Sequence, residues 1–162
     1  MRQGAVHATG ATVTRRVPRS DRPDKVLIYL VRGDRLLVFQ RASGRKVRAT
    51  LEVPKGGLRP METAVQAAQR ECLEESGLEA LSLTPLHVWQ FRPEGKKRTQ
   101  TWQAFWGEAP LETLDAFVHG VTGEGKDHGR HFHFQFVPIE GLVLSPGHDE
   151  ALQALRQQCT FP

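Results

Sequence analysis

Three glutamates near the middle of the chain are spaced so that a helix would bring their carboxylates together. Projected at 100° per residue, Glu71, Glu74 and Glu75 fall within about 100° of one another. Carboxylates about 5 Å apart repel one another by roughly 3 kcal/mol per pair at an effective dielectric near 20. Glutamates in the last turns of a helix also oppose its dipole. A divalent cation would relieve both effects, and oxygen ligands without His or Cys favour Mg²⁺ or Mn²⁺ over zinc.

The segment that carries these acids is predicted to be a helix over residues 61–76. Pro60 stands where the start of a helix tolerates proline, and Gly77 stands where a helix typically ends. The small side chains of Ala64 and Ala67 are expected to leave open space beside the acids. An apolar stripe should face the core, and it consists of Met61, Val65, Ala68 and Cys72.

The stretch from Gly56 to Leu78 resembles the sequence box of the Nudix hydrolases. That box reads Gly, five residues, Glu, seven residues, Arg-Glu, an aliphatic residue, any residue, Glu-Glu, any residue, Gly and an aliphatic residue. The matching positions are Gly56, Glu62, Arg70, Glu71, Glu74, Glu75, Gly77 and Leu78. Cys72 takes the first aliphatic position, which a small buried hydrophobic side chain satisfies.

The resemblance implies both a fold and a reaction. The implied fold is of the α/β class, an α/β/α sandwich around a mixed β-sheet. The implied reaction is metal-dependent hydrolysis of a nucleoside diphosphate linked to another group, at a phosphorus-containing acid anhydride. Divalent metal would neutralise the diphosphate, polarise the phosphorus and lower the pKa of the attacking water.

The resemblance also implies roles for the acids of the box. Glu71 and Glu75 are expected to be direct metal ligands, and Glu74 either a ligand or the base. A backbone carbonyl near Lys55 and Gly56 would complete the metal's coordination. The cofactor is therefore expected to be Mg²⁺ or Mn²⁺.

Other positions are expected to support or extend this chemistry. Glu62 is expected to lie behind the metal ligands, and Arg70 to hold the acid cluster in place. The carboxylate that takes the proton of the water varies within the family and sometimes lies on a later loop. There Glu124 is the first candidate for the base and Glu108 the second.

The substrate is expected to be a small, highly anionic nucleotide or polyphosphate. The residues 53–56 (VPKG) and the basic turn at 96–98 resemble those of the dinucleoside polyphosphate and diphosphoinositol polyphosphate hydrolases. Cleavage of (d)NTPs is an alternative, and a nucleotide sensor without turnover is less favoured because every acid of the box is present. The cations expected to bind the substrate are Lys55, Arg41, Lys97 and Arg98.

Composition agrees with an anionic partner. The 162 residues include 22 Lys+Arg against 18 Asp+Glu, which gives a net charge of +4. The longest strongly apolar run, at residues 26–31, is far too short to span a membrane. The two distant cysteines and the lack of a secretory leader favour a cytoplasmic protein. Nucleic acid is a disfavoured partner, and the resemblance is compatible with a homodimer.

The elements that must position these residues follow from periodicity and turn signals. Residues 1–24 are predicted to be an arm, with an edge strand at 11–16, and residues 25–162 a single domain. Besides the helix at 61–76, a last helix is predicted at 149–158. Strands are predicted at 25–32, 35–40, 51–53, 87–91, 99–106 and 131–137. Loops are predicted at 41–48, 55–60, 93–98 and 120–129.

Overall fold

The strand at residues 25–32 lies at the centre of the fold and is buried on both faces, as its β-branched and aliphatic composition predicts. The computed structural model describes residues 22–159, so the predicted edge strand at 11–16 lies outside the described residues. The strands are β1 (Lys25–Arg32), β2 (Arg35–Ser43), β3 (Lys46–Val47), β4 (Lys55–Gly57), β5 (Thr84–Phe91), β6 (Gln100–Glu108), β7 (Ala116–Gly120) and β8 (His131–Pro138). The helices are α1 (Ala64–Ser76) and α2 (Leu152–Gln158).

The strands form one mixed sheet in the order β5-β6-β1-β2-β8-β7, with β3 added to β2 and β4 added to β1. The neighbours β1 and β6 run parallel, while the other pairs are antiparallel. A turn at Gly33 and Asp34 joins β1 to β2. The predicted α/β class and mixed sheet are confirmed.

Each face of the sheet buries its own apolar cluster. Alternate residues of β1 enter the two clusters, with Ile28 on one side and Tyr29 on the other. The cluster on the α1 side includes Phe39, Phe105, Phe132 and Phe134. The cluster on the α2 side includes Trp102, Ile139 and Leu155. Within residues 22–159, neither helix is long and apolar enough to cross a membrane.

The start of α1 differs from the prediction. The helix begins at Ala64 rather than at 61, because Thr63 accepts a hydrogen bond from the Gln66 N–H and Gln66 Oε1 accepts one from the Thr63 N–H. Met61 therefore lies before the helix, with a φ of 66° and 96% of its surface exposed, instead of in the apolar stripe. The predicted end is confirmed by the left-handed Gly77.

The space expected beside Ala67 is also absent, because that residue is fully buried against the sheet.

Several strand bounds differ because pairing with distant segments extends or creates strands. Residues of the predicted loops belong to β2, β3 and β4, while 51–53 forms only the bridge from Glu52 to Phe39. Strand β5 starts earlier than predicted, β7 was not predicted, and α2 starts at Leu152 rather than 149.

Candidate active site

A cleft of about 620 Å³ lies where α1, β4 and the loop after β7 meet. The acids of α1 face this cleft because the opposite side of the helix packs Ala68 and Cys72 into the core. The carboxylates that line the cleft are Glu71, Glu74, Glu75, Glu124 and Asp127. The cationic side chains that line it are Lys25, Arg41, Lys55, Arg59, Arg70, Lys96 and Lys126.

Arg70 binds three of the glutamates at once. Its Nε and Nη2 donate to the two carboxylate oxygens of Glu62 at 2.7 and 2.9 Å. Its Nη1 donates to Glu71 at 2.7 Å and to Glu74 at 3.3 Å, and its Nη2 also donates to the Gly57 carbonyl at 2.8 Å. The bonds from Arg70 hold the pKa of Glu62 at about 2. Glu62 therefore stays ionised and fixes Arg70 beside the other acids.

Glu75 is the most deeply buried of the acids, with 5% of its surface exposed. One of its oxygens accepts a hydrogen bond from the Lys55 N–H at 3.2 Å. Burial, together with the charge of Glu71, raises the pKa of Glu75 well above its usual range. Burial also raises the pKa of Glu71, although Arg70 acts in the opposite direction. Burial thus disfavours the charged form of both carboxylates.

The close approach of β4 to α1 depends on Gly56. A Cβ at this position would lie 1.9 Å from Cδ and 2.0 Å from Oε1 of Glu71. Only the absence of a side chain leaves room for the Glu71 carboxylate against the backbone of β4. This explains why a glycine precedes Glu71 by fifteen residues in sequence and yet touches it in space.

A second group of ion pairs forms the other wall of the cleft. Arg41, at the end of β2, donates to Glu52 at 2.7 Å and to Asp127 at 2.9 Å. Asp127 belongs to the loop between β7 and β8, so this pair fastens that loop to the sheet. The loop also reaches α1, because the Thr122 N–H donates to the Glu74 carbonyl at 2.9 Å.

Lys55 lies between this ionic group and the aromatic core. Its Nζ stands 4.6 Å from the centre of the Trp102 ring, where the negative face of the ring attracts it. The ring of His148 meets Trp102 edge-on from the core, and its Nδ1 accepts a hydrogen bond from the Val53 N–H at 3.2 Å. Burial lowers the pKa of Lys55.

A match that covers most of the chain identifies its family. A family model described as the NUDIX domain matches residues 21–158. The chain belongs to the NUDIX family. The prediction of a Nudix hydrolase from the residues of the box is thereby confirmed at the level of the family.

Solved structures of NUDIX proteins and of a pyrophosphohydrolase share this fold. A NUDIX hydrolase from Nitrosomonas europaea is 18% identical over 86% of this chain and 93% of its own, with a TM-score of 0.60. A Bacillus subtilis pyrophosphohydrolase, an E68A mutant, is 19% identical over 90% and 88%, with a TM-score of 0.57. The NUDIX domain of Shewanella oneidensis NrtR, complexed with ADP ribose, is 12% identical over 84% and 87%, with a TM-score of 0.59. No curated protein matches the sequence at a significant level.

Most predicted site residues of the NUDIX box and its surroundings meet at the cleft. Those that line it are Arg41, Lys55, Gly56, Arg70, Glu71, Glu74, Glu75 and Glu124. Glu62 lies behind Arg70. Lys97 and Arg98 are exposed and do not line the cleft, and Arg98 instead donates to Asp24 at 2.8 Å. Glu108, the second candidate for the base, lines a separate groove at the end of β6.

Several residues of the cleft were not predicted from the sequence. Lys96 stands next to the predicted Lys97 and is the cation of the basic turn that lines the cleft. Asp127 lies on the same loop as Glu124, and this shared loop was the available signal. Arg59 occupies a position that the NUDIX box leaves unspecified, Lys25 lies outside the box, and no local pattern marks either residue. Glu52, which does not line the cleft but pairs with Arg41, was not predicted either, because the two residues are eleven positions apart in sequence.

The donor set fits a hard divalent cation of the kind that NUDIX proteins use. Every carboxylate in the cleft offers oxygen, the ligand that Mg²⁺ and Mn²⁺ prefer. Within residues 22–159, no three His, Cys, Asp or Glu side chains stand in the arrangement of ligands around one ion. Guanidinium groups hold oxygens of Glu71 and Glu74 in this structure. The acids thus have suitable chemistry, while arginines supply their present counter-charge.

Proposed function

We propose that the protein is a Mg²⁺- or Mn²⁺-dependent hydrolase that cleaves the diphosphate linkage of a nucleoside diphosphate joined to another group. A substrate like a dinucleoside polyphosphate is favoured. One observation carries the proposal: the acids of the NUDIX box line one wall of a cleft whose remaining lining is rich in lysine. A metal-binding wall beside a cationic wall fits a polyphosphate.

The acidic wall supports the metal part of the proposal. Glu71, Glu74 and Glu75 would hold the ion, with a carbonyl near Gly56 as a further oxygen ligand. A divalent ion held there would neutralise charge on the diphosphate and make a neighbouring water more acidic. The buried, raised-pKa Glu75 gains most from such an ion, because burial penalises its charge.

The cationic wall supports a substrate of high negative charge. Four lysines line the cleft, and within residues 22–159 none of them forms an ion pair: Lys25, Lys55, Lys96 and Lys126. Because the arginines are engaged with carboxylates, these ammonium groups are the ones available to phosphates. A chain of several phosphates would contact more of them than a single diphosphate.

Side chains of the protein would take up the proton of the water and hold the acids in position. Hydrolysis adds water to one phosphorus, breaks its bond to the bridging oxygen and releases a proton. Glu124 is our candidate to take that proton, because it lies exposed at the cleft and forms no ion pair in the described part of the chain. Asp127 is held by Arg41, which leaves it less suited to the task. Arg70 keeps the acids in position.

A substrate panel tests the proposal. The purified protein is incubated with Mg²⁺ or Mn²⁺ and a dinucleoside tetraphosphate, ADP-ribose, a (d)NTP or a diphosphoinositol polyphosphate, and products are separated by anion exchange. We expect the highest kcat/KM on the dinucleoside tetraphosphate. A higher value on the (d)NTP or the inositol compound would replace the favoured substrate by that one.

Cleavage of none of these compounds would contradict the proposed reaction. Tight binding of a nucleotide without cleavage would instead indicate a sensor. A Glu75→Gln variant provides the negative control, and Glu79→Gln the matched control, because Glu79 is exposed outside the cleft.

A further inference from the structure

We propose that Arg59 neutralises Glu74 while the metal is absent, and that the divalent cation releases Arg59 to bind a phosphate of the substrate. The inference rests on the proposed function, because it concerns the metal and the phosphates of the same cleft. Position 59 is not one of the specified positions of the NUDIX box, so the box does not explain the arginine.

Both oxygens of Glu74 are taken by arginines. Arg59 Nη2 donates to Oε1 at 3.1 Å, and Arg70 Nη1 donates to Oε2 at 3.3 Å. A cation that binds Glu74 competes with these guanidinium groups for its oxygens, and it repels any guanidinium that stays beside it. The cation displaces whichever of the two arginines is held more weakly.

Arg59 is the one that is held more weakly. Its side chain is 53% exposed, against 16% for Arg70. Its guanidinium makes this one bond within residues 22–159, whereas Arg70 also binds Glu62, Glu71 and the Gly57 carbonyl. An exposed ion pair contributes little to stability, so the cation displaces Arg59 and leaves Arg70 in place.

The backbone of Arg59 is fixed even though its side chain is exposed. The Arg59 N–H donates to Glu62 at 2.8 Å, and Arg22 donates to the Arg59 carbonyl and to the Glu62 carbonyl. Met61 holds a left-handed backbone conformation in the same loop. The displaced guanidinium consequently stays at the edge of the cleft, where it reaches the phosphates and pairs with them through two parallel hydrogen bonds.

This exchange couples the two ligands. Release of Arg59 by the cation creates a phosphate-binding group, and a phosphate that holds Arg59 leaves Glu74 open to the cation. Each ligand must therefore raise the affinity for the other by the same factor.

Calorimetric titration tests the coupling. Mn²⁺ is titrated into the wild type, Arg59→Gln, Arg59→Lys and Arg35→Gln, with and without α,β-methylene-ADP, whose diphosphate cannot be hydrolysed. Arg35 is the matched control, because it is exposed at the β1–β2 turn and lies outside the cleft. Thermal unfolding verifies that each variant is folded.

In the wild type the analogue should tighten Mn²⁺ binding about fivefold or more. Arg59→Gln should bind Mn²⁺ alone several-fold more tightly, bind the analogue more weakly and show a smaller coupling factor than the wild type. Arg59→Lys should lie between the two, and Arg35→Gln should match the wild type.

Unchanged or weaker Mn²⁺ binding by Arg59→Gln would overturn the role of Arg59 and leave the proposed function standing. Tighter Mn²⁺ binding with unchanged analogue affinity would overturn the phosphate contact. A wild type that binds no Mn²⁺ would overturn the proposed function and this inference together.

Discussion

Individual side chains decide how much negative charge the cleft can hold without a metal. Arg70 uses its whole guanidinium on Glu62, Glu71, Glu74 and a backbone carbonyl. A lysine has three donors on a point charge and cannot reproduce this planar arrangement. The arginine of the box is thus explained by geometry as well as by charge.

Lys96 and Lys97 provide a matched pair at the residue scale, because they are adjacent and only Lys96 lines the cleft. Lys96→Gln should raise KM for a dinucleoside tetraphosphate about threefold to tenfold with little change in kcat, since one charge-assisted contact is lost. Lys97→Gln should change neither. Steady-state kinetics check this, and equal effects of the two variants would contradict the placement of the cationic wall.

The sequence predicted the acids of the cleft better than its cations. Glu71, Glu74 and Glu75 lie on one helix, where spacing alone fixes their common face. Lys97 and Arg98 belong to a turn whose backbone geometry the sequence does not reveal, and Lys96 of the same turn lines the cleft instead. The link between Arg41 and Asp127 joins two distant segments, so only the fold brings it about.

At the scale of elements, α1 and β4 form one unit. The end of α1 follows from Gly77, whereas its start lies later than Pro60 predicts, because the capping pair Thr63 and Gln66 begins the helix. The cap and its reciprocal partner were present in the sequence and outweigh a proline signal. Strands β3 and β4 could not be predicted, because each is short and exists only through pairing with a longer strand.

Gly56→Ala tests the contact between β4 and α1. The added Cβ would collide with the Glu71 carboxylate at 1.9 Å, so this side chain must leave its position. We expect kcat/KM to fall about 100-fold or more, in keeping with a displaced catalytic group. At Gly57 the nearest atom would lie at 3.6 Å, an ordinary contact, so Gly57→Ala should lose far less activity. Equal losses would contradict the close-approach argument.

At the scale of the whole molecule, the α2 side of the core carries a buried histidine. His148 is 2% exposed, its backbone carbonyl accepts a bond from Tyr29, and its ring lies 4.0 Å from Glu52. Burial, with the charges of Lys55 and Arg41, lowers the pKa of His148 from 6.5 to about 3. The ring is therefore neutral in the folded protein at pH values where the unfolded chain protonates it.

The free energy of unfolding should consequently depend on pH. It is highest above pH 6.5 and falls as pH drops toward 3, by at most about 1.4 kcal/mol per pH unit from this residue, because the unfolded state binds the extra proton. Urea unfolding between pH 7 and 5 measures the slope. His148→Asn, which keeps an acceptor near the Val53 N–H, should be less stable at pH 7 and show a shallower slope. Parallel slopes for the two proteins would contradict the neutral, buried histidine.

We propose that the acids of α1 hold a divalent ion for cleavage of a diphosphate. The rate of dinucleoside tetraphosphate hydrolysis with Mg²⁺ is therefore measured before and after EDTA for the wild type, Glu75→Gln and Glu79→Gln. EDTA should abolish the wild-type rate. Glu75→Gln should lower kcat about 1,000-fold or more without loss of thermal stability, because it removes a buried charge. Glu79→Gln should keep the wild-type rate, and hydrolysis that persists in Glu75→Gln or in EDTA would contradict the claim.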